Sequence, residues 1–566
     1  MLNKRNIILF GYIISFCAII CTLIYSINKG FSNTDECTTA IQLANKNELL
    51  QLDLYNIIDI ISKITTGNST LLSLRYSKII FIGISLIINT FLWFHILVSK
   101  QRENLHYFIS LIFFWSIAAI TTVFNRALHY NDIMDHTAIL CISILIFIKK
   151  THTNAIEKII LSSLYAISLF LLFCIKFPTA ILLLIVFYFT IIKIKTLTKT
   201  EKILSICIQT ITLSCLIYIY LKSYYAPISD VLIGYQLLSK IMTKLSIPFY
   251  SIDAIFFACA FVFIFIVINY KRHALQITKS TIYPYLFFIG TLLLLLVIYS
   301  NMHENDIYYL LYYLLPAIII CLYFMFVVYG NVYYKIKNNQ KENIYWISIL
   351  LLLLVLNISG SYTLQIINLT LHPFFIAFII GYILYFKKKW KQLHFVNKYV
   401  IFFFILFNVL NPFLYSSTSI FQHRTPLNIP KTNETIFVNK ELYQFYTTIN
   451  QETKHLSKQE YVINIDHSNV LYFIGLKPYL VTNIVDEQAV EIYKKQLEVI
   501  GNYIQPKQKP SILIASKNIP NKFTEVINSQ LKMKKKSCLI QLKNPMQNIF
   551  KNNKSKGEIC IFTLNN

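Results

Sequence analysis

Long apolar runs recur from the amino terminus to about residue 415, separated by shorter polar segments. Most runs are roughly 17 to 23 residues long, the length that a helix needs to cross the hydrocarbon core of a bilayer. Backbone groups in lipid must be paired within their own segment, and the ten-residue alternation of a barrel strand is missing, so the runs are predicted helices. We predict a polytopic α-helical membrane protein with about thirteen spans. The predicted spans are residues 7–28, 78–99, 106–126, 136–149, 158–175, 177–193, 203–222, 253–270, 283–300, 307–329, 344–359, 372–386 and 398–415.

Four of these runs need comment. The runs on either side of Phe177-Pro178 also fit one helix broken at the proline. The run at 136–149 is short for a span unless its first residues lie in a protein-lined cavity. The first run is longer than the apolar core of a secretory signal and no small-x-small pattern follows Ile27, so we expect it to stay as an anchor.

The distribution of Lys and Arg predicts the orientation. With the amino terminus in the cytoplasm, basic residues fall into every other loop, as the positive-inside rule requires. They are Lys4, Arg5, Lys100, Arg102, Lys149, Lys150, Lys193, Lys195, Lys271, Arg272, Lys335, Lys337, Lys387, Lys388 and Lys389. An odd number of spans then exports the carboxyl terminus, so a membrane domain at 1–415, with a first outer loop at 29–77, precedes an extracytoplasmic domain at 416–566.

The exported domain reads as a small α/β fold. Predicted helices at about 440–455 and 486–501 alternate with strands at YVINI, YFIGL, SILIAS, SCLIQL and ICIFTL, which suggests a sheet flanked by helices. We expect it to cover the outer face of the membrane domain. Cys538 and Cys560 lie in the last two strands, and both a disulfide and two buried thiols fit the pattern.

The charge composition does not change the predicted class of helical membrane protein. The 566 residues are 56% hydrophobic and carry a formal net charge of +26, which in a soluble protein would suggest a nucleic-acid partner. Here much of the positive charge belongs to the cytoplasmic loops, where anionic lipid headgroups attract it. We therefore predict contacts with membrane lipids and no nucleic-acid partner.

Ionisable residues gather at the predicted outer ends of the spans. A charge within the hydrocarbon costs roughly 2.5 to 3.5 kcal/mol, so such groups usually face a cavity, a partner or the interface. The group comprises Asp35, Glu36, Arg75, Arg126, His129, Asp132, Asp135, Lys176, His303, Glu304 and Asp306. Their convergence on one face indicates a site at that face.

Four segments of the chain resemble, in their order, the GT-C superfamily of polyprenyl-phosphate-dependent glycosyltransferases. An acidic pair at Asp35-Glu36 follows the first span, and LRYSKII (74–80) enters the second. CIKFPTAILLL (174–184) is similar to the Thr-Lys-Gly-Pro type stretch of that family, and YYLLPAIII (312–320) to its Tyr-Leu-Leu-Pro span. The nearest resemblance is to the family 39-like members, which include the aminoarabinose transferases and protein mannosyltransferases.

The resemblance implies roles for particular residues. Asp35 would be the catalytic base or acceptor-positioning group with Glu36 beside it, while Lys176 and Arg75 would contact the donor phosphate. Sugar transfer develops positive character at the anomeric carbon and negative charge on the departing phosphate, so one carboxylate and one cation meet both demands. With no second carboxylate assigned as a covalent nucleophile, we predict inversion by a single displacement.

A second acidic position is less defined. Many members of the family have an acid in the second outer loop, where this chain offers Asp132 and Asp135. Some members use a divalent cation near the acidic pair, for which Asp35 and one of these two residues are the plausible ligands, although no metal-ligand spacing is diagnostic. The Lys-Pro-Pro or His-Pro-Pro stretch of many relatives is missing between Asp53 and Arg75, which leaves the acceptor open.

The same residues also have simpler, structural interpretations. Asp35-Glu36 also fits a helix cap, Lys176 an interfacial lysine that snorkels to the headgroups, and Arg75 a structural contact. At the level of function, an oligosaccharide polymerase or ligase, a lipid or sugar transporter and a non-catalytic scaffold also fit a polytopic chain. The abundant Ile, Lys and Asn suggest a bacterial plasma membrane and an undecaprenyl carrier, with an envelope glycan, a lipid or a protein hydroxyl as acceptor.

Overall fold

The computed structural model describes a part of the chain in detail. The described residues are 21, 24–25, 27–30, 35–44, 53–98, 127–150, 154–194, 197–224, 424–430, 432–454, 461–464, 472, 477–478, 512–516, 525, 528–529, 534–543 and 558–565. The predicted spans at 106–126 and from 253 to 415 lie outside these residues, as does most of 7–28. The same holds for Arg126, His303, Glu304, Asp306, the 312–320 motif and the predicted helix at 486–501.

Eight helices and seven strands are described. The helices are α1 (Asp35–Ala44), α2 (Asp53–Thr66), α3 (Leu71–Val98), α4 (Tyr130–Lys150), α5 (Ala155–Ile175), α6 (Phe177–Lys193), α7 (Lys199–Tyr224) and α8 (Lys440–Thr453). The strands are β1 (Thr425–Ile429), β2 (Glu434–Val438), β3 (Tyr461–Asn464), β4 (Lys477–Pro478), β5 (Ile512–Ser516), β6 (Lys534–Lys543) and β7 (Glu558–Asn565).

Three of the described helices are long and apolar enough to cross a membrane. They contain Leu71–Leu92 of α3, Ile156–Ile175 of α5 and Lys199–Ser223 of α7, while Thr179–Lys193 in α6 is apolar but shorter. Large apolar side chains are exposed along one stripe of α6, at Ile181, Ile185, Phe189 and Ile192, and along a similar stripe of α3. Stripes of this kind suit lipid, and the structure thus indicates a helical membrane protein.

The directions of these helices follow from their contacts. Lys78 of α3 contacts Asp132 of α4 near their first residues. Phe170 and Tyr220 stack near the last residues of α5 and α7, with ring centroids 5.6 Å apart. We call the end of the bundle where α3, α4 and α6 begin, and where α5 and α7 finish, the hairpin end, because the β1–β2 hairpin packs there.

Of the two readings left open at Phe177-Pro178, the structure shows two helices. Lys176 is the last cap of α5 and the first cap of α6, with a backbone that is neither helical nor extended (φ −145°, ψ 76°), and Pro178 stands in the first turn of α6. A proline suits this position because the first helical N–H groups have no partner within the helix. The helices then fold back on each other: the Tyr165 hydroxyl donates to the Leu183 carbonyl at 2.7 Å.

The carboxyl-terminal part contains two sheets. β1 and β2 form an antiparallel hairpin, and its turn includes Asn433 with φ 55°, a conformation that Asn tolerates well. The second sheet has the order β4-β3-β5-β7-β6, with β3 parallel to β4 and β5, and β7 antiparallel to β5 and β6. The mixed sheet agrees with the α/β pattern expected for this part. Of the predicted strand at 472–476 only Tyr472 is described, and it is helical, while residues 473–476 lie outside the described residues and β4 follows at Lys477–Pro478.

Cys538 and Cys560 lie on neighbouring strands, as expected, but not opposite each other. Cys538 is opposite Phe562 and Cys560 is opposite Gln541. A shift of two positions places the two Cα atoms roughly 8 Å apart, beyond the about 4.4 to 6.8 Å of a disulfide. The register favours the alternative of two thiols.

A buried amide between α5 and α7 gives a first testable prediction. Gln209 on α7 is fully buried, and within the described residues its Nε2 has no hydrogen-bond partner. We expect Gln209→Leu to raise the free energy of unfolding by about 1 kcal/mol, because the penalty of an unpaired buried donor disappears. Reversible unfolding in detergent measures it, with Gln209→Ala as the control that should destabilise by leaving a cavity. A loss of stability in the Leu variant would show that this amide has a partner.

Candidate functional site

The first two turns of α3, Leu71–Lys78, hold the hairpin end together. The backbone N–H of Leu128, just before α4, donates to the Leu74 carbonyl at 3.0 Å. The Arg75 guanidinium donates to the carbonyls of Ile27 and Gly30, at 2.6 and 2.8 Å. This segment contains most of the LRYSKII motif, so the motif is the point where residues 27–30, α3 and the start of α4 meet.

Lys78 and Asp132 form a buried ion pair. The Nζ–Oδ2 distance is 3.0 Å and both side chains are 4% exposed. The same Asp132 oxygen accepts a hydrogen bond from the backbone N–H of His129 at 3.0 Å, so the carboxylate also caps the start of α4. Burial and the charge of Lys78 lower the pKa of His129 to about 3, which keeps this imidazole neutral near pH 7 and adds no second cation to the cluster.

The residues that leave the first span pair with the hairpin. The backbone N–H of Phe437 in β2 donates to the Asn28 carbonyl at 2.8 Å, and the N–H of Gly30 donates to the Phe437 carbonyl at 2.7 Å. Lys29 Nζ lies 4.1 Å from the centroid of the Phe437 ring. Gly30 has φ 55°, where a side chain would be strained, so glycine allows this sharp exit towards α1.

One apolar core joins all of these elements. It comprises buried residues of α1, α2, the start of α3, residues 127–133, both hairpin strands and α8, and Phe170, Leu171, Cys174 and Ile175 of α5 pack against it. Ala40 and Ile41 of α1 are buried members of this core. The helix that begins with Asp35-Glu36 and the residues just before Lys176 therefore pack on the same core.

The structure places the predicted site residues as follows. Asp35 and Glu36 are the first two residues of α1, and their side chains lie outside the described part of the structure, as does that of Asp135 in α4. Lys176 is half-buried at the turn between α5 and α6. Arg75 and Asp132 are buried in the contacts given above, which support the structural reading of Arg75 and give Asp132 the roles of ion-pair partner and helix cap.

Three helices begin at the hairpin end, and their caps differ. Thr70 Oγ1 and the Glu434 carboxylate accept hydrogen bonds from the first turn of α3, and Asp132 caps α4. The start of α6, at Lys176, has no side-chain cap among the described residues. Helix amino termini attract anions through their free N–H groups and dipole, so of these three the α6 terminus, whose first cap is Lys176, is the most suitable for an anion.

The sequence pattern did not identify two kinds of residue at this site. The hydropathy pattern marks Lys78 only as the first residue of an apolar span, although a lysine at that position needs a partner, which Asp132 provides. Glu434 and Tyr472, which contact the start of α3, gave no signal, because their partners are backbone groups far away in the chain. Within the described residues, no group of three or more His, Cys, Asp and Glu is arranged to hold a metal ion.

No protein-family model matches the sequence, and no curated protein is significantly similar to it. The resemblance to the GT-C superfamily therefore depends on the four quoted segments alone and stays a prediction.

Proposed function

We propose that this protein is a membrane glycosyltransferase that moves a sugar from a polyprenyl-phosphate donor to an envelope glycan, lipid or protein acceptor. The shared core at the hairpin end is the main support. It connects α1, which begins at Asp35, with the end of α5, which leads into Lys176. A base and a phosphate-binding cation are the two groups that such a transfer needs.

In the proposed reaction, the acceptor oxygen attacks the anomeric carbon as the bond between that carbon and the phosphate oxygen breaks. Asp35 takes the acceptor proton, with Glu36 beside it, and the electron pair of the broken bond leaves on the polyprenyl phosphate. Lys176 and the first N–H groups of α6 stabilise this phosphate. A single displacement of this kind inverts the configuration of the sugar.

The buried contacts reduce the number of candidate residues for the phosphate contact and for the second acidic group. Arg75 uses two donors on backbone carbonyls, and Asp132 is paired with Lys78, so we give both a structural role. We retain Lys176 as the phosphate contact because it stands at the start of α6, whose first turn has no side-chain cap among the described residues, and Asp135 as a candidate for a second acidic group. A divalent cation is not required by this scheme, and none is assigned.

We place the hairpin end on the outside of a bacterial plasma membrane. Lysines cluster at the opposite end of the described helices, at Lys149, Lys150, Lys193, Lys199 and Lys202, as the positive-inside rule expects of cytoplasmic loops. The amino terminus is then cytoplasmic and the carboxyl-terminal sheet extracytoplasmic, where a lipid-linked donor in the outer leaflet can reach the proposed site.

The decisive assay uses the full-length protein in lipid nanodiscs with radiolabelled undecaprenyl-phosphate hexoses and pentoses. We expect donor turnover, as transfer or hydrolysis, with at least one of these sugars. Movement of the donor across vesicle membranes without turnover would favour a transporter instead, and inactivity with every donor would contradict the proposal.

The role of Lys176 can be tested without knowing the sugar. We expect Lys176→Met to weaken binding of undecaprenyl phosphate about tenfold, because a charge-assisted contact to the phosphate is lost. Native mass spectrometry of the detergent-solubilised protein measures this binding. Lys193→Met, at the other end of α6, is the matched control and should bind as the wild type does; equal binding by both variants would remove Lys176 from the site.

A further inference from the structure

Two residues from the carboxyl-terminal part of the chain hold the first turn of α3. The backbone N–H of Leu72 donates to Glu434 Oε1 at 3.1 Å, across 362 residues of sequence. The N–H of Leu71 donates to the Tyr472 hydroxyl oxygen at 3.0 Å, and this hydroxyl donates to Glu434 Oε2 at 3.3 Å. Glu434 thus reaches both N–H groups, one directly and one through Tyr472.

These contacts complete a cap that the local sequence leaves unfinished. The first N–H groups of a helix have no partner within the helix. Thr70 Oγ1 accepts a hydrogen bond from the Ser73 N–H at 3.4 Å, which leaves the Leu71 and Leu72 N–H groups to the carboxyl-terminal part. A carboxylate is well suited to this position because it also interacts favourably with the helix dipole.

The same contacts form a closed ring around the exit of the first span. Glu434 holds the first turn of α3, and Arg75 in the next turn holds the carbonyls of Ile27 and Gly30. Residues 28–30 pair with Phe437, which lies in β2, the strand that begins with Glu434. Each link fixes the next, and α1 begins at Asp35, five residues after Gly30.

We infer that Glu434 is a positioning residue for the outer site, acting through Arg75 and residues 27–30 on the placement of α1 and Asp35. Its effect on sugar transfer rests on the proposed function, whereas its effect on residues 27–44 does not. The carboxyl-terminal part is then a component of the site's architecture through Glu434 and Tyr472.

Hydrogen exchange of the full-length protein in detergent tests the coupling directly. We expect Glu434→Ala to speed exchange about five- to tenfold in peptides covering both 71–78 and 27–44, the size expected for a lost helix cap. Glu441→Ala removes an exposed carboxylate from the nearby start of α8 and should leave exchange unchanged. Glu434→Gln keeps an oxygen that can accept from Leu72 and should restore most of the protection.

In the transfer assay, the positioning role predicts a lower kcat with a nearly unchanged KM for the donor, and recovery in Glu434→Gln. If Glu434→Ala does not fold, Tyr472→Phe removes the link to Leu71 and should give the smaller effect in the same peptides. Faster exchange confined to 71–78 would overturn the inference, because Glu434 would then only cap α3. Absence of transfer by the wild-type protein would overturn the proposed function and the catalytic part of this inference, while the exchange data alone decide the coupling.

Discussion

Replacing Asp35 by Asn is expected to lower the rate of sugar transfer by roughly 10²- to 10⁴-fold, the usual contribution of a general base. Asn keeps the shape of the side chain and can still cap a helix, so the loss would come from the missing base. The measurement is turnover of the undecaprenyl-phosphate donor identified by the nanodisc assay, with folding checked by thermal unfolding.

Asp53→Asn is a matched control for this variant. Asp53 is the first residue of α2, as Asp35 is of α1, so a role limited to helix capping predicts similar small changes in both variants. Glu36→Gln separates the two members of the acidic pair. If Asp35→Asn retains wild-type turnover, Asp35 is not the base, and a comparable loss in Asp53→Asn would indicate a general loss of structure.

The parts of the fold that could be predicted are those where one segment decides its own structure. α6 spans Phe177–Lys193, the predicted bounds, because a proline sets its start and a lysine at the membrane surface ends its apolar run. α4 extends to Tyr130, six residues before the predicted span, because Asp132 caps a helix that begins outside the apolar run. Hydrophobicity marks the apolar part of a helix, and the cap marks its real beginning.

The hairpin of β1 and β2 shows the limit of such reasoning. The sequence around β1 is typical of a loop, with Pro426, Asn428 and Pro430. The segment nevertheless forms a strand that pairs with β2, because it is short and its buried and exposed side chains alternate. Its docking on residues 28–30 depends on contacts between the two ends of the chain, which no local pattern encodes. The partners of Arg75 and the structural role of Asp132 were hidden for the same reason.

Lys78→Met is expected to lower the free energy of unfolding by about 3 to 5 kcal/mol, because it leaves the buried Asp132 carboxylate without its cation. Asp132→Asn should cost a similar amount by leaving the Lys78 ammonium group unpaired. The double variant removes both charges and keeps an amide oxygen for the His129 N–H, so it should recover most of the loss. Reversible unfolding in detergent measures all three variants.

Lys63→Met is the control that isolates burial of the lysine. The Lys63–Asp59 pair has nearly the same length as the Lys78–Asp132 pair, 2.9 against 3.0 Å, and its carboxylate is equally buried, but the Lys63 side chain is 54% exposed against 4% for Lys78. Asp59 also accepts a hydrogen bond from the Ser69 hydroxyl, and solvent screens the exposed Lys63, so Lys63→Met should cost clearly less than Lys78→Met. Additive losses in the Lys78/Asp132 double variant would mean that the two charges do not depend on each other, and α3 and α4 would then be held together at the hairpin end by apolar packing and the Leu128–Leu74 hydrogen bond.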